Sequence, residues 1–264
     1  MYSTTYHKAA SIDDAVALLS GSEDAMVLAG GQTLLATMKQ HLAAPSDLVD
    51  IRAIDGLSGI SIDGSTLVIG AATTHAEVAT SADVNRLCSA LADLAGGIGD
   101  PAVRNMGTIG GSIANNDPAA DYPAALLALG AKIVTNSREI PAGDYFQGLF
   151  ATALDQGEII TSVRVPASEK AAYAKFAQPA SLFALVGVFV ALGEDGASVA
   201  VTGAGEEGVF RHGGLEAALN SNWSVGAIDG VNVSGEGLLS DIHGSAEYRA
   251  NLVRVMAKRA VAAT

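Results

Sequence analysis

The chain has 264 residues, of which 49% are hydrophobic, and its formal net charge at pH 7 is −13. This length accommodates one large or two medium domains, and the acidic excess argues against binding to nucleic acid or to an anionic membrane surface. The single cysteine, Cys88, excludes an intrachain disulfide and cannot alone hold an iron–sulfur cluster or a structural zinc ion.

The amino terminus and the apolar runs argue against export or membrane insertion. Residues 1–20 lack the basic start and the apolar centre of a secretory signal peptide. The longest apolar runs, such as residues 182–192, are too short to cross a bilayer. We therefore expect a cytoplasmic protein without a membrane span.

In chain order, the first part is predicted to alternate between short strands and helices. Ser11 can cap a helix whose first turn is acidic and which ends before Gly21. The dipeptide Asp63-Gly64 suits a turn with positive φ and predicts a hairpin. Strands are predicted at residues 26–29, 48–51, 59–62, 66–70, 131–135, 158–165 and 171–176. Helices are predicted at residues 33–41, 74–80, 85–95 and 121–129.

The stretch Ala29-Gly-Gly-Gln-Thr-Leu-Leu35 joins a predicted strand to a predicted helix. A strand, a glycine turn and a helix N-terminus together favour an anion site, because backbone N–H groups converge there. For this element alone, a tight turn that only packs the helix is an equally open interpretation.

A second glycine-rich stretch is Gly107-Thr-Ile-Gly-Gly-Ser-Ile-Ala-Asn-Asn-Asp-Pro-Ala-Ala-Asp121. Gly110 and Gly111 let the backbone approach a ligand without an intervening Cβ, and Thr108 and Ser112 add hydroxyl groups. Successive N–H groups in such a turn can form a nest that binds an anion. The two stretches together predict a ligand with two phosphates, or one phosphate chain held from both sides.

Several other side chains have both a structural and a functional interpretation. We expect Cys88 to be a small core residue, because no base lies beside it in the sequence. His75 is expected at a helix start or on the surface rather than as an acid–base group. Arg104 can pair with a phosphate or with Asp100, and we favour Asp100. The aromatic residues expected in the core or at a subunit contact are Tyr145, Phe146 and Phe150.

The pattern of the chain changes near residue 168. The predicted elements beyond it are strands at residues 184–192 and 197–203, a short helix at 215–219, an irregular stretch at 220–244 and an amphipathic helix at 247–262. This composition is typical of a small α+β domain. We therefore divide the chain into domains at residues 1–167 and 168–264.

Short motifs also occur in a characteristic order along the whole chain. They are Ala29-Gly-Gly-Gln-Thr-Leu, Pro45-Ser-Asp-Leu-Val-Asp-Ile, Val68-Ile-Gly-Ala, Gly107-Thr-Ile-Gly-Gly-Ser-Ile-Ala-Asn, Asp117 with Asp121, Tyr145-Phe-Gln-Gly, Glu158-Ile-Ile, Tyr173-Ala-Lys and Glu247-Tyr-Arg. This ordered set resembles the FAD-binding medium subunit of molybdenum hydroxylases, the subunit type of carbon monoxide dehydrogenase and the middle domain of xanthine dehydrogenase. Either glycine motif alone would be unspecific.

The resemblance implies an α+β fold, in which a PCMH-type FAD-binding domain of two α/β subdomains precedes a small α+β domain of the carbon monoxide dehydrogenase flavoprotein C-terminal type. It implies FAD held non-covalently between the subdomains, with both glycine motifs on the pyrophosphate. It places Asp121 at the adenosine end, Ile160 beside the cofactor and Lys175 near it. The residues expected to bind FAD are Leu28, Ala29, Gly30, Gly31, Gln32, Thr33, Leu34, Ile98, Thr108, Ile109, Gly110, Gly111, Ser112, Asn115, Asp117, Asp121, Ile160, Lys175 and Phe183.

The resemblance also implies a flavoprotein subunit that passes electrons from iron–sulfur clusters through FAD to an external acceptor, either NAD or a quinone. The expected partners are a large subunit with a molybdopterin cytosine dinucleotide-type molybdenum cofactor and a small subunit with 2Fe-2S clusters, arranged as a dimer of heterotrimers. No catalytic residue and no metal site is expected in this chain.

Two other functions stay open at this point. One is a self-contained flavin reductase or oxidase of the same fold, for which we find no matching Ser, Arg and Glu pattern. The other is a scaffold subunit that has lost the cofactor, against which the intact glycine pairs argue.

The sequence departs from the family pattern after Lys175. Family members often carry basic residues and an aspartate there, around an aromatic residue that faces the flavin ring. Here Phe183 takes the aromatic position, and Gln178, Pro179 and Leu182 replace polar or charged residues. Because local charge favours one redox state of a flavin, this departure leaves the external acceptor open.

Overall fold

The computed structural model describes residues 2–264, whose strands form sheets of three, five, four and two strands. The strands are β1 (Thr5–Lys8), β2 (Met26–Leu28), β3 (Asp47–Asp50), β4 (Ile60–Asp63), β5 (Thr66–Gly70), β6 (Lys132–Thr135), β7 (Glu139–Pro141), β8 (Phe146–Gly148), β9 (Ala151–Thr152), β10 (Ile160–Pro166), β11 (Ala171–Ala177), β12 (Ala184–Gly193), β13 (Gly196–Thr202) and β14 (Phe210–Arg211). The helices are α1 (Ile12–Ser20), α2 (Leu34–Lys39), α3 (His75–Thr80), α4 (Ala82–Gly96), α5 (Pro101–Arg104), α6 (Ile109–Asn115), α7 (Tyr122–Ala128), α8 (Ala142–Tyr145), α9 (Gly213–Ser221) and α10 (Ala246–Ala262), with a 3₁₀ turn at Val225–Ile228.

The first sheet is parallel, with strand order β1-β3-β2, and α1 packs against it. The Ser11 hydroxyl accepts a hydrogen bond from the Asp14 N–H at 3.1 Å, so the predicted cap of α1 is confirmed. β1 carries no clear sequence signal and was not predicted. Because β2 ends at Leu28 and α2 begins at Leu34, the first glycine stretch is fixed between a strand and a helix.

The second sheet is antiparallel, with strand order β4-β5-β10-β6-β7. The predicted hairpin is present, and Gly64 at its turn has a φ of +62°. Helix α4 begins earlier than predicted, because the Ser81 hydroxyl caps it by accepting from the Val84 N–H. The core prediction for Cys88 is confirmed, since this residue is 1% exposed and burial raises its thiol pKa to about 11.

The third sheet is antiparallel, with strand order β11-β12-β13-β14, and it is covered on both faces. In β12, Phe189 and Ala191 belong to the core that includes α4 and α7, whereas Val188 and Val190 belong to the core that includes α9 and α10. A strand buried on both faces reads as a continuous apolar run, which explains the unbroken hydrophobic sequence of β12.

The third sheet is tied to α10 by a buried arginine. The Arg249 guanidinium donates from Nη1 to the carbonyl oxygens of Leu185 and Gly203, both at 2.8 Å, and from Nη2 to Asp241 at 2.8 Å. Between the second and third sheets, β10 ends at Pro166 and β11 begins at Ala171. The predicted domain boundary falls in this connection and stays a prediction.

None of the helices formed by residues 2–264 combines the length and the apolar character that a membrane crossing requires.

Candidate functional site

A cavity of about 710 Å³ lies where the two glycine-rich stretches meet. This volume is within the range of about 300–1,000 Å³ that small-molecule and cofactor sites usually have. All but two of the residues predicted to bind FAD lie on its wall, and the exceptions are Ile109 and Lys175. Other residues on the wall, which the sequence did not single out as ligand-binding, include Ile51, Ala71, His75, Val103, Phe150, Leu154, Gln156, Gly157, Glu158 and Leu182.

The first glycine loop, residues 29–33, presents backbone donors to this cavity. Within residues 2–264, no hydrogen bond is formed by the backbone N–H of Gly30, Gly31, Gln32 or Thr33. Gly31 has a φ of +67°, a conformation that glycine adopts without strain. The loop therefore offers a run of free N–H groups of the kind that binds phosphate or another anion.

The second glycine loop, residues 107–112, differs from the predicted N–H nest. The N–H groups of Ile109 and Gly110 donate to the carbonyls of Thr73 and Ala71, and that of Ser112 donates to the Thr108 carbonyl. The Gly111 N–H donates to the Thr108 hydroxyl at 3.1 Å. Most N–H groups of this loop therefore donate to other groups of the chain. The loop offers the cavity mainly the hydroxyl groups of Thr108 and Ser112 and the Cα of Gly111, which carries no side chain.

Backbone contacts explain two of the glycines. A Cβ added at Gly30 would lie 2.1 Å from the carbonyl oxygen of Met106 and 2.7 Å from the Cα of Gly107, so the first loop touches the start of the second. A Cβ added at Gly110 would lie 2.7 Å from the carbonyl oxygen of Ala71, which follows β5. A Cβ at Gly111 would instead meet the Thr108 hydroxyl at 2.9 Å and then nothing closer than Ala29 at 3.8 Å. Gly30 and Gly110 are thus required for packing, whereas Gly111 keeps the cavity open.

The charged residues on the wall are acidic. Asp117, Asp121 and Glu158 line the cavity, and within residues 2–264 no lysine or arginine does so. The Asp117 carboxylate accepts the Ala119 N–H at 2.8 Å, which holds it in a local turn. An anionic ligand in this cavity would therefore depend on backbone N–H groups and hydroxyls rather than on cationic side chains.

Asp121 forms a buried network with two residues of β11. Tyr173 donates its hydroxyl hydrogen to Asp121 Oδ1 at 2.5 Å, and Lys175 Nζ lies 3.1 Å from the same oxygen. Lys175 also donates to the Gly97 carbonyl at 2.8 Å, and its side chain is only 11% exposed. The Lys175 ammonium is therefore committed to the chain itself, which explains why it does not line the cavity.

Ile109, the second exception, is fully buried in the core that includes the second sheet, and it does not line the cavity. Its N–H is also committed to Thr73, so neither its side chain nor its donor faces a ligand. The sequence pattern could not separate Ile109 from its neighbours, because the direction of each side chain depends on how α6 packs.

The loop that closes one side of the cavity, residues 154–159, is fixed by Arg138 and Glu158. Arg138 donates to both carboxylate oxygens of Glu158 at 2.9 Å and to the Ala153 carbonyl at 2.7 Å. The hydroxyls of Thr135 and Ser137 also donate to Glu158. The hydrogen bonds from Arg138, followed by these smaller contributions, hold the pKa of the Glu158 carboxyl well below its usual range.

The lowered pKa of Glu158 predicts an acid-dependent stability. A carboxyl group with a depressed pKa in the folded state stabilises the fold above its unfolded-state pKa, which is near 4.5, and loses that effect as the pH falls. We expect Glu158→Gln to lower the free energy of unfolding by about 2 kcal/mol at pH 7. The difference from wild type should shrink steadily below pH 4.5 in urea unfolding curves.

The matched control for this variant is Glu139→Gln, because the pair between Glu139 and Lys132 is half exposed. Exposed pairs contribute about 0–1 kcal/mol, so the control should stay close to wild type at every pH. A Glu158→Gln variant whose deficit is the same at pH 3 and pH 7 would contradict the prediction.

One prediction about a single residue needs correction. Arg104 does not pair with Asp100, because its guanidinium donates to the carbonyls of Ile98 and Gly99 while Asp100 caps α5. The prediction that His75 begins a helix is confirmed, and this residue is also buried and lines the cavity. Phe150 is 61% exposed with a φ of +54° and lines the cavity, so it is not a core residue, and the subunit contact stays a prediction. The core prediction holds for Tyr145, which is fully buried.

The geometry defines a class of protein, namely one with a cofactor-sized cavity between an α/β portion and an antiparallel sheet, suited to a phosphate-bearing ligand. Comparison with known proteins gives the family. A family model described as the FAD binding domain in molybdopterin dehydrogenase matches residues 2–168. The chain belongs to this family, and it is an FAD-binding medium subunit of a molybdenum-dependent oxidoreductase.

Relatives and solved structures cover nearly the whole chain. The carbon monoxide dehydrogenase medium chain of Hydrogenophaga pseudoflava is 35% identical, over 97% of this chain and 95% of its own. The nicotine 6-hydroxylase medium subunit of Paenarthrobacter nicotinovorans is 36% identical, over 97% and 95%. A chain of the H. pseudoflava carbon monoxide dehydrogenase, solved without the Mo-pyranopterin moiety of its cofactor, matches with a TM-score of 0.91 and 35% identity over 98% and 96%. The predicted fold class is thereby confirmed.

Proposed function

We propose that this chain holds FAD in the cavity, with the diphosphate on the first glycine loop, and serves as the electron-transfer subunit of its complex. The observation that carries this proposal is the run of free N–H groups from Gly30 to Thr33, opposite the bare Cα of Gly111. A diphosphate needs several converging donors, and an intervening Cβ would keep it away from them. Bound FAD supplies the redox chemistry, and the protein supplies orientation and electrostatics.

Each part of the wall has a role in this proposal. The first glycine loop and the hydroxyls of Thr108 and Ser112 bind oxygen atoms of the diphosphate. The apolar side chains of Ile98, Ile160 and Phe183 exclude water from the rest of the ligand. Asp121 lines the cavity, and Lys175, which does not, forms an ion pair with the Asp121 carboxylate. The ligand would therefore contact a carboxylate whose charge is already paired. The remaining proposed contacts are Leu28, Ala29, Leu34, Asn115 and Asp117.

The wider assembly is proposed from the relatives. Their names describe medium chains or subunits of a carbon monoxide dehydrogenase and a nicotine 6-hydroxylase. We propose that this chain assembles with a molybdenum-binding large subunit and a small 2Fe-2S subunit as a dimer of heterotrimers in the cytoplasm. Electrons would leave the complex to NAD or to a quinone.

The deciding experiment is purification of the chain with its natural partners, followed by measurement of bound flavin and identification of the co-purifying subunits. We expect a yellow complex with one FAD per copy, released by acid because it is held non-covalently. The isolated chain should show no hydroxylase activity, since the molybdenum cofactor is proposed to lie in the large subunit. Absence of flavin both from the complex and from the isolated chain at saturating FAD would refute the proposal.

A further inference from the structure

One polar side chain on the cavity wall, His75, is buried and makes no side-chain hydrogen bond within residues 2–264. The residue is 5% exposed and lines the cavity, and its Nδ1 atom is buried without a partner. A buried polar atom without a partner destabilises a fold, and such groups need an explanation. Because Nδ1 is shielded even from water, a ligand in the cavity can bond the ring only through its other nitrogen, Nε2.

The backbone fixes His75 against the second glycine loop. The His75 N–H donates to the Gly107 carbonyl at 3.0 Å, and the neighbouring Thr74 forms an isolated β-bridge with Thr108. The Nε2 atom of His75 lies 2.6 Å from the position that a Cβ on Gly107 would occupy. The imidazole therefore packs where a side chain at position 107 would otherwise lie, and this contact holds the ring beside the second glycine loop.

The imidazole is neutral at physiological pH. Burial, together with the positive charge of Arg104, lowers the pKa of His75 to about 4. Arg104 is itself held by the carbonyls of Ile98 and Gly99, so its charge stays in place. A neutral imidazole has one N–H donor and one acceptor nitrogen.

Tyr122 lies beside His75 and carries a second unpaired atom. The two ring centroids are 5.4 Å apart, and the Tyr122 hydroxyl is buried without a partner within residues 2–264. A tyrosine hydroxyl can donate to the acceptor nitrogen of a neutral imidazole. The two atoms do not form this bond in the structure, and a rotation of the rings that brought them together would fix Nδ1 as the acceptor and leave Nε2 as the donor.

We propose that His75 is a further cofactor-binding residue, which donates a hydrogen bond from Nε2 to an oxygen atom of the bound FAD, while the Tyr122 hydroxyl, unbonded in this structure, moves to within hydrogen-bond distance of Nδ1 in the bound state. This inference rests on the proposed function of the cavity. His75 would supply a donor beside the second glycine loop. Few N–H groups of that loop are available to a ligand, because those of Ile109, Gly110 and Ser112 donate to carbonyl groups of the chain itself.

The test is a set of variants in the complex after removal of its flavin: His75→Leu, His75→Gln and Tyr122→Phe. We expect His75→Leu to weaken FAD binding about tenfold, since one hydrogen bond to the ligand is lost. The melting temperature of the flavin-free His75→Leu protein should stay the same or rise, because an unpaired buried nitrogen is removed. His75→Gln, which keeps a side-chain N–H, should recover most of the affinity.

The variant Tyr122→Phe tests whether the tyrosine hydroxyl orients the His75 ring, separately from the direct contact between His75 and FAD. We expect it to weaken FAD binding by a smaller factor, about threefold, without lowering the melting temperature of the flavin-free protein. The matched control is His212→Leu, because the His212 ring has a partner, the Leu215 N–H, and does not line the cavity. This control should lose stability and keep its FAD affinity.

The outcomes distinguish this inference from the proposed function. A wild-type complex that binds no FAD refutes the proposed function. A wild-type complex that binds FAD, together with a His75→Leu variant of equal affinity, refutes only the role of His75. A His75→Leu variant that fails to fold, or that melts at a lower temperature without flavin, also overturns the inference, because His75 would then be a structural residue.

Discussion

Gly111→Val should weaken FAD binding by about 100-fold while the protein keeps its fold. The valine side chain would enter the cavity between the two glycine loops, where the nearest atoms are the Thr108 hydroxyl at 2.9 Å and the Ala29 Cβ at 3.8 Å. The Thr108 side chain can turn away with the loss of its hydrogen bond to the Gly111 N–H, which costs about 1 kcal/mol, so the protein tolerates the change better than the ligand does. Fluorescence titration with FAD and thermal unfolding of the flavin-free protein measure the two effects separately.

Two other glycine positions serve as controls for this variant. Gly143 in α8 is exposed and has no atom within 4 Å of an added Cβ, so Gly143→Val should leave affinity and stability unchanged. Gly110→Val should unfold the region, because its Cβ would lie 2.6 Å from the Cβ of Ala71. If Gly111→Val kept wild-type affinity, Gly111 would be a turn residue only.

The second large effect is expected at the buried pair of Lys175 and Asp121. Lys175→Met should lower the free energy of unfolding by about 3 kcal/mol, because it leaves the Asp121 carboxylate buried with only Tyr173 as a side-chain partner. The melting temperature should fall by roughly 6–12 °C for a chain of this size. Urea unfolding with a far-ultraviolet circular dichroism signal measures the loss.

A double-mutant cycle tests whether the buried charge causes this loss. In the variant Asp121→Asn with Lys175→Met, both charges are removed and the amide oxygen can still accept from Tyr173, so much of the lost stability should return. As a comparison, Lys132→Met removes a lysine whose pair with Glu139 is half exposed, and it should cost less than about 1 kcal/mol. If the losses in unfolding free energy of the single variants Lys175→Met and Asp121→Asn added up to the loss of the double variant, the two side chains would act independently.

Much of the fold could be predicted from the sequence, because its signals are local. The Ser11 cap, the Asp63-Gly64 turn and the apolar run of β12 each depend on residues close together in the chain. The first glycine loop was also predictable, since a strand, two glycines and a helix follow one another directly. The order of short motifs gave the family, although neither glycine motif alone would have done so.

The parts that could not be predicted depend on residues far apart in the chain. The N–H groups of Ile109 and Gly110 donate to the carbonyls of residues 73 and 71, respectively, and no local sequence pattern predicts these hydrogen bonds. The same packing buries His75 and turns Arg104 towards the carbonyls of residues 98 and 99. Lys175 was expected near the cofactor, and its burial against Asp121 became visible only in the folded chain.

The backbone contact between Gly30 and Met106 affects how gene sequences of this kind should be compared. A descendant that no longer carried flavin would still need glycine at position 30, because any larger residue would push apart two segments of its own main chain. Position 111 needs glycine only when the ligand is bound, so in such a descendant it could accumulate larger residues over time. In genome surveys, substitution at position 111 with glycine retained at position 30 would therefore mark copies that have lost their cofactor and kept their shape.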